Sequence, residues 1–357
     1  MRTIGTGELR LLTRLVIDPS SRQSQLARDL QVSRSAVNQI WKNLERENSL
    51  QIRGNIDFGR FGLQMIFGWA QSDEGADVLT KFGRWLTSSK LVIKDVPSII
   101  SSTFDSRIYF EAILPPGNQS SWFLNQIDRF RKKPYSLKIY TSECSKISNH
   151  MNLGLFDGET WSFPDNFRLE ASIGAARGYV DILPTESIVE QSPPGPMNID
   201  ELIVAAALES NYYATAADLA ESYKILGLKP SSGRTLRRKL VNIRDKFIRP
   251  YVDITNIGLN QKLMITIYDE QYQESTFSRV LHAQASTFPK ARVVSGPGLT
   301  LLELEAPDNI EWLALSQIMS ALAGPVSETC TFIANQREKG THLRSVMSNL
   351  TSHMSSG

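Results

Sequence analysis

The sequence is poor in the residues that build disulfide frameworks and metal centres. It contains two cysteines, Cys144 and Cys330, and 4 histidines in 357 residues. Two cysteines do not make a disulfide framework in a chain of this length, and the composition indicates a reducing compartment. No metal-ligand spacing occurs, so no metal site is predicted.

Long apolar runs and a strong net charge are also missing. No stretch of ~18 consecutive apolar residues occurs, and the N-terminus has no charged segment followed by an apolar core. These absences argue against a membrane span or export, and we expect a cytoplasmic protein without a membrane partner. The formal net charge is only +2. Any signal for nucleic acid must therefore come from the distribution of the charges.

Recognisable catalytic patterns are absent as well. The sequence has no glycine-rich phosphate loop and no nucleophile elbow. We therefore predict no catalytic residue and no cofactor, and we interpret the chain as a protein that is not an enzyme.

The chain is long enough for several domains. Its 357 residues exceed the ~100 to 200 residues of a usual domain. A hydrophobic fraction of 41% with 21% charged residues is ordinary for globular protein, so each domain can bury a core.

A helix-turn-helix pattern runs from Gln23 to Leu50. A break at Gln31 and Val32 separates two short amphipathic helices, and Ser33 stands at the N-cap position of the second. The apolar positions at helical spacing are Leu26, Ala27, Leu30, Val37, Ile40, Trp41 and Leu44. The opposite face of the second helix carries side chains suited to phosphates and base edges in a major groove. These side chains are Arg34, Ser35, Asn38, Gln39 and Lys42.

Arg53 lies in the segment that follows, "SLQIRGNIDFGRFG", which alternates apolar residues with turn glycines. This segment predicts a short wing or strand. On composition alone, Arg53 is equally well interpreted as a phosphate contact or as a solvated surface charge.

A second copy of the pattern begins at Ala217. Ser232 corresponds to Ser33, and the apolar stripe continues through Leu219, Ala220, Leu236, Leu240 and Ile243. The cations between positions 229 and 249 are Lys229, Arg234, Arg237, Arg238, Lys239, Arg244, Lys246 and Arg249, against the single acid Asp245. This basic cluster predicts DNA contacts. The candidate residues are Arg234, Arg237, Arg238, Lys239 and Arg244.

A regular succession of strands and helices follows each helix-turn-helix. The order is βαββαβ from "LQMIFGWAQ" to "SLKIYTSE", and it repeats from "QKLMITIYD" to "SETCTFIANQ" with predicted helices over Ser275–Ser286 and Ile310–Leu322. This order is typical of a ferredoxin-like domain, a four-stranded antiparallel sheet covered by two helices on one face. One sheet face of each domain would remain uncovered, so we expect a homo-oligomer formed through these domains.

The predicted fold class is therefore α+β, a tandem duplication of a winged helix-turn-helix followed by a ferredoxin-like βαββαβ domain. The predicted ranges are 1–60 and 199–258 for the winged helices, 61–148 and 259–336 for the ferredoxin-like domains, 149–198 for a connector and 337–357 for a flexible tail.

The two copies resemble the Lrp/AsnC, or feast/famine, family of prokaryotic transcription regulators. "LARDLQVSRSAVNQIWKNLE" is similar to the helix-turn-helix signature of that family, and "IDFGRFGL" and "VDITNIGL" look like its segment between the winged helix and the assembly domain. The sequence departs from the family where Ile40 and Lys239 replace an arginine of the recognition helix. The second copy also carries an insertion of roughly "SYKILG" before its turn.

The resemblance implies a transcription regulator with double-stranded DNA as its partner and RAM (ACT-like) domains for assembly. It also implies a small-molecule effector, such as an amino acid, bound near a turn of these domains. Phe104 and Asp105 stand at that turn in the first copy, and Gly296 and Gly298 stand there in the second. A fused chain would supply both winged helices to one duplex site.

Two alternatives stay open. Proteins with the same domain order resemble siroheme decarboxylases, in which histidines line a tetrapyrrole pocket. Here His150, His282, His342 and His353 occupy no repeated position, and a structural role is favoured for His282. The other alternative is an architectural or scaffold protein whose winged helices coat DNA without sequence preference or bind proteins.

Overall fold

The computed structural model describes residues 3–72, 75–101, 105–162, 188–269, 278, 281–282, 285–308, 327–334 and 343–354. The α-helices in these ranges are α1 (Thr6–Ile17), α2 (Gln23–Leu30), α3 (Arg34–Asn48), α4 (Ala76–Ser88), α5 (Asn118–Arg131), α6 (Ile199–Ser210), α7 (Ala216–Ile225), α8 (Gly233–Phe247) and α9 (Leu343–Met354).

The strands are β1 (Gln51–Ile56), β2 (Gln64–Ser72), β3 (Val92–Ser101), β4 (Ser106–Leu114), β5 (Lys138–Glu143), β6 (Lys146–Met151), β7 (Ile188–Glu190), β8 (Ile248–Asp253), β9 (Gln261–Asp269), β10 (Lys290–Gly296), β11 (Leu299–Ala306) and β12 (Ser327–Ala334). All the strand pairs among the described residues are antiparallel.

Each winged helix is a three-helix unit that ends in one strand. Helices α1 to α3 with β1 form the first unit, and α6 to α8 with β8 form the second. Gln31 ends α2 in the left-handed region at φ 56°, and the Ser33 hydroxyl accepts the Ala36 N–H at 3.1 Å to begin α3. Ser232 begins α8 in the same way. The predicted helix-turn-helix pattern is thus present twice.

The two winged helices are joined to each other within the chain. Strands β1 and β8 form a two-stranded ladder from Gln51↔Asp253 to Ile56↔Ile248. The Trp41 ring also meets the Tyr213 ring edge-on at 6.0 Å. Backbone pairing and ring packing together fix the orientation of one unit relative to the other.

Both ferredoxin-like domains have the predicted topology. The first sheet has the order β5-β2-β4-β3, and the second has the equivalent order β12-β9-β11-β10. Helices α4 and α5 follow β2 and β4 in the first domain. Phe82 of α4 and Phe123 of α5 are fully buried. Of the predicted helix Ser275–Ser286 only part is described, with helical backbone at Ser278, Leu281 and His282, and Ile310–Leu322 lies outside the described residues.

The two sheets join into one ten-stranded sheet that closes on itself. Strand β3 pairs with β12, and β6, which continues β5, pairs with β10. Side chains of the two inner faces touch, as the Tyr140 and Tyr268 rings do at 4.6 Å. The sheet faces that we expected to be uncovered therefore cover each other. They do not support the self-association that we predicted from uncovered faces.

The connector is more structured than a linker. Its first residues, 149–151, are the end of β6, and β7 adds to β6 at the edge of the sheet. The Trp161 indole donates to the Ile257 carbonyl at 2.6 Å, and Gln191 bonds to the backbone of Ile56 and Phe58. The described parts of the connector thus bind the first winged helix and the second half together.

The predicted flexible tail is wrong for residues 343–354, which form α9. Leu343, Val346, Met347 and Leu350 are buried, and α9 packs against α6 and β3. The Leu343 N–H, at the start of α9, donates to the Glu209 carboxylate at 2.8 Å. The helix is therefore part of the folded core.

Candidate functional site

The outer face of α3 is free in the structure. Val37, Trp41 and Leu44 are buried against the rest of the winged helix. The predicted DNA-contacting side chains all point away from that core and are exposed: Arg34, Ser35, Asn38, Gln39 and Lys42. A 15-residue helix with one exposed polar face has the dimensions that a DNA major groove admits.

Helix α8 presents an equivalent free face. Leu236, Leu240 and Ile243 are buried. Arg234, Arg237 and Arg238 are exposed, as predicted for a DNA-contacting face. A shallow groove on this face is lined by Arg237, Arg238, Val241, Asn242, Asp245 and Lys246. Val241, Asn242 and Lys246 were not predicted as contacts, although Val241 and Asn242 lie one helical turn beyond Arg237 and Arg238.

Lys239 and Arg244 turn towards the protein instead. The Lys239 ammonium contacts Asp200 at 2.5 Å, and its hydrogen bond, with that of the Tyr223 hydroxyl, lowers the pKa of the Asp200 carboxyl. Arg244 donates to the Ala214 carbonyl at 3.0 Å and lies over the Tyr212 ring. Both predicted DNA contacts are engaged in holding α8 to its own winged helix.

Arg53 is also engaged within the protein. Its guanidinium forms an ion pair with Asp253 at 2.9 Å, across the β1–β8 ladder. Only 16% of the Arg53 side chain is exposed. The residue therefore stabilises the joint between the two winged helices.

The effector residues expected from the resemblance have separate structural contacts. Asp105 lies 3.7 Å from the buried Arg107, and Phe104 lies outside the described residues. Gly298 has φ 73° in the β10–β11 turn. A Cβ at Gly296 would lie 1.9 Å from the Glu143 carbonyl oxygen, so glycine is needed where β5 crosses close by.

A second set of charges lies between the two sheets. We call it the inter-sheet network; its members are Arg53, Lys94, Glu111, Asp253, Lys262, Lys290, Arg292, Glu303 and Glu305. Arg292 makes a bidentate pair with Glu111, one arm of it at 2.8 Å, and Lys94 pairs with Glu303. The sequence patterns predict none of these ion pairs.

Two members of the network, Glu303 and Lys290, are held in their charged forms by their partners. Burial alone would raise the pKa of the Glu303 carboxyl, but Lys262, Lys94 and Arg292 hold that pKa well below its usual value. Burial likewise opposes the charge on Lys290, yet Glu305 and Asp253 raise the pKa of its ammonium. Asp253 also pairs with Arg53, so the network reaches from the sheets to the β1–β8 ladder.

His150 and His282 lie along or beneath the second sheet. The His282 ring is bonded on both sides, 2.8 Å from the Ser148 hydroxyl and 2.8 Å from the Ser295 hydroxyl. Burial lowers the pKa of His282 to about 3 and that of His150, on β6, to about 4. Both imidazoles are neutral at pH 7, and the partners of His282 are those of a structural residue.

No family model matches the sequence, and no curated protein matches it either. The fold does match solved structures. The crystal structure of the siroheme decarboxylase NirDL matches with a TM-score of 0.52 and 11% identity, covering 98% of this chain and 98% of that one. NirDL in co-complex with an iron-uroporphyrin III analogue matches with a TM-score of 0.51 and 11% identity, covering 97% and 98%.

This likeness supports the fold seen here, a tandem of winged helices and ferredoxin-like domains. It also overturns the prediction that the chain is not an enzyme, because the solved structures that it matches from end to end are those of a decarboxylase. Among the described residues, no helix combines the length and apolar character needed to cross a membrane.

Proposed function

We propose that this chain binds duplex DNA through α3 and α8 and acts as a transcription regulator. One observation carries the proposal: both helices keep their polar outer faces exposed although they belong to one chain with a well-packed core. The Lrp/AsnC-like fold of the solved neighbours is consistent with it.

The exposed side chains have the chemistry that DNA contact needs. Arginine and lysine bind phosphate, whereas asparagine, glutamine and arginine make paired hydrogen bonds to base edges. The first helix offers Asn38 and Gln39 between the cations Arg34 and Lys42, and the second offers three arginines. Each face thus combines phosphate affinity with the capacity to read bases.

The joint between the winged helices supports simultaneous binding. The β1–β8 ladder and the Trp41–Tyr213 contact hold two recognition helices in a fixed relation. Dimeric helix-turn-helix proteins place two such helices in successive major grooves, about 34 Å apart. In this chain a single polypeptide supplies both, so binding does not depend on subunit association.

The experiment that tests the proposal measures DNA affinity against salt concentration by fluorescence anisotropy. The double variant Arg237→Ala with Arg238→Ala should bind more weakly, and its log–log salt slope should become less steep by about 2. The matched control is Arg84→Ala with Arg129→Ala, which removes two exposed arginines from α4 and α5. Equal losses in both double variants would contradict the proposal.

A second candidate function comes from the solved neighbours. NirDL is a siroheme decarboxylase, and its match extends over 98% of both chains. A tetrapyrrole carries several carboxylates, and the inter-sheet network contains cations that could pair with them. Each of these cations already has a protein carboxylate, so a bound tetrapyrrole would have to displace those pairs.

The tetrapyrrole candidate is tested with the intact protein. Purified chain is titrated with iron-uroporphyrin III and followed by visible absorption, and incubation with siroheme is followed by mass spectrometry for loss of carbon dioxide. A saturable spectral shift with loss of carboxyl groups would support it. An unchanged spectrum at saturating tetrapyrrole would exclude it.

A further inference from the structure

The recognition helices can be compared residue by residue, because both begin at a serine N-cap. Ser33 accepts the Ala36 N–H, and Ser232 accepts the Thr235 N–H three residues on. Counted from these caps, the buried positions correspond as Val37 with Leu236, Trp41 with Leu240 and Leu44 with Ile243. The outer faces can therefore be aligned without ambiguity.

Every aligned position at the centre of the outer face differs in chemistry. Asn38 corresponds to Arg237, and Gln39 corresponds to Arg238. One turn later, Lys42 corresponds to Val241, an apolar side chain that is 49% exposed. The outer face of α8 therefore lacks the cation that α3 carries at this position.

These differences select different bases. Asparagine and glutamine amides make paired hydrogen bonds to N6 and N7 of adenine, and arginine makes them to O6 and N7 of guanine. An apolar side chain beside them contacts the methyl group of thymine. Amides and guanidinium groups at the same helical positions would therefore read unlike base pairs.

We propose that the chain recognises a composite duplex site with two unlike half-sites, adenine-containing under α3 and guanine-containing under α8. This inference rests on the proposed DNA binding. In a symmetric homodimer, identical subunits impose identical half-sites. Here one chain carries two different helices in fixed relation, so nothing requires the half-sites to match.

The contacts that hold α3 and α8 to their own winged helices also differ. In the first winged helix, Gly7 on α1 approaches the apolar side chain of Ile40. In the second, Asp200 on α6 holds Lys239 by an ion pair at the equivalent place. The turn before α8 is also longer than the turn before α3. The two helices are thus presented by different scaffolds as well as carrying different faces.

The experiment is selection of binding sites from random duplex DNA with two full-length proteins. One is the natural chain, and the other carries the α3 face on α8 through Arg234→Ser, Arg237→Asn, Arg238→Gln and Val241→Lys. All four replaced side chains are exposed, so the core beneath α8 is untouched. The natural chain should select two unlike half-sites, and the variant should select two like ones.

A second variant separates base reading from simple phosphate binding. Arg237→Lys with Arg238→Lys keeps both charges but removes the guanidinium fork. Discrimination for guanine over other bases should fall about 5- to 150-fold per base pair, while the salt slope stays unchanged. Unchanged selectivity in this variant would mean that α8 only grips phosphate, and the inference would be wrong.

The results distinguish this inference from the proposal beneath it. Two alike half-sites in the natural chain, or the same motif from the natural chain and the α8 variant, would overturn the composite site and leave DNA binding standing. Absence of any salt-sensitive binding to duplex DNA by the natural chain would overturn both.

Discussion

The exposed cations of α3 and α8 and the mostly buried cations of the inter-sheet network are the same residue types in opposite settings. Arg237 and Arg238 face water. Arg292 is sandwiched between sheets and bonded to Glu111, whose side chain is 2% exposed. The number of arginines in a sequence therefore says little about their role until their burial is known. Exposed charges are available to a partner, whereas removing one member of a buried pair leaves the other charge buried without its partner.

The largest expected effect is a loss of stability when an ion pair of the inter-sheet network is broken. Arg292→Met leaves the Glu111 carboxylate buried without its bidentate partner, which should lower the unfolding free energy by about 3–5 kcal/mol. Urea denaturation measures this change. Adding Glu111→Gln in the same chain removes the stranded charge, so the double variant should be less destabilised than the sum of the two single variants. Strict additivity would contradict the description of these residues as a coupled pair.

Salt should weaken mainly the interactions of the exposed cations on α3 and α8. If Arg34, Lys42, Arg237 and Arg238 each neutralise one phosphate, DNA affinity should fall roughly 10²-fold between 50 and 200 mM salt. The unfolding free energy should change little over that range, because buried pairs are screened less than exposed ones. Anisotropy titrations and urea denaturation at the two salt concentrations measure the two quantities. Equal salt sensitivity of DNA affinity and unfolding free energy would contradict a difference in screening between the exposed and the buried charges.

Glu209, near Arg53 of the inter-sheet network, should have a smaller effect, on the pH dependence of stability. Burial raises the pKa of its carboxyl from 4.5 to about 7, although the Leu343 N–H and nearby Arg53 favour the charged form. The folded state therefore holds a proton that the unfolded chain has lost, and stability falls as the pH rises from about 4.5 through 7. Glu209→Gln keeps an acceptor for the N-terminus of α9 and cannot ionise.

The Glu209→Gln variant should be more stable than the natural chain above pH 7, by ~1–3 kcal/mol. It should also lose part of the pH dependence between about 4.5 and 7. Urea denaturation across that range measures both. Identical pH profiles for the two chains would show that the Glu209 carboxyl does not titrate in the folded protein.

The sequence predicts the local structure well because local chemistry determines it. The serine caps, the apolar stripes and the strand order are each set by neighbouring residues, and all three agree with the structure. The helix α9 could also have been found. Leu343, Val346, Met347 and Leu350 stand at i, i+3, i+4 and i+7, a helical stripe hidden within a polar segment.

The inter-sheet network could not be read from the same patterns. In "LTLLELEA", Glu303 and Glu305 alternate with apolar residues, as in a strand with one face in water. In "RIYFEAILP", Glu111 is a single acid within an apolar run. The face that carries them is buried because it meets the opposite sheet. Charge pairing across 181 residues, as between Arg292 and Glu111, leaves no local signal.

Substitution of Lys239 should have the smallest effect, because this residue is neither fully exposed nor part of the inter-sheet network. Its ammonium is 27% exposed and pairs with Asp200, which is 41% exposed. Lys239→Ile restores the apolar residue found at the equivalent Ile40, and it should change the unfolding free energy by less than about 1 kcal/mol. DNA affinity should fall less than in Arg238→Ala, since Lys239 is turned towards α6. A loss of DNA affinity equal to that of Arg238→Ala would show that Lys239 contacts DNA despite its ion pair with Asp200.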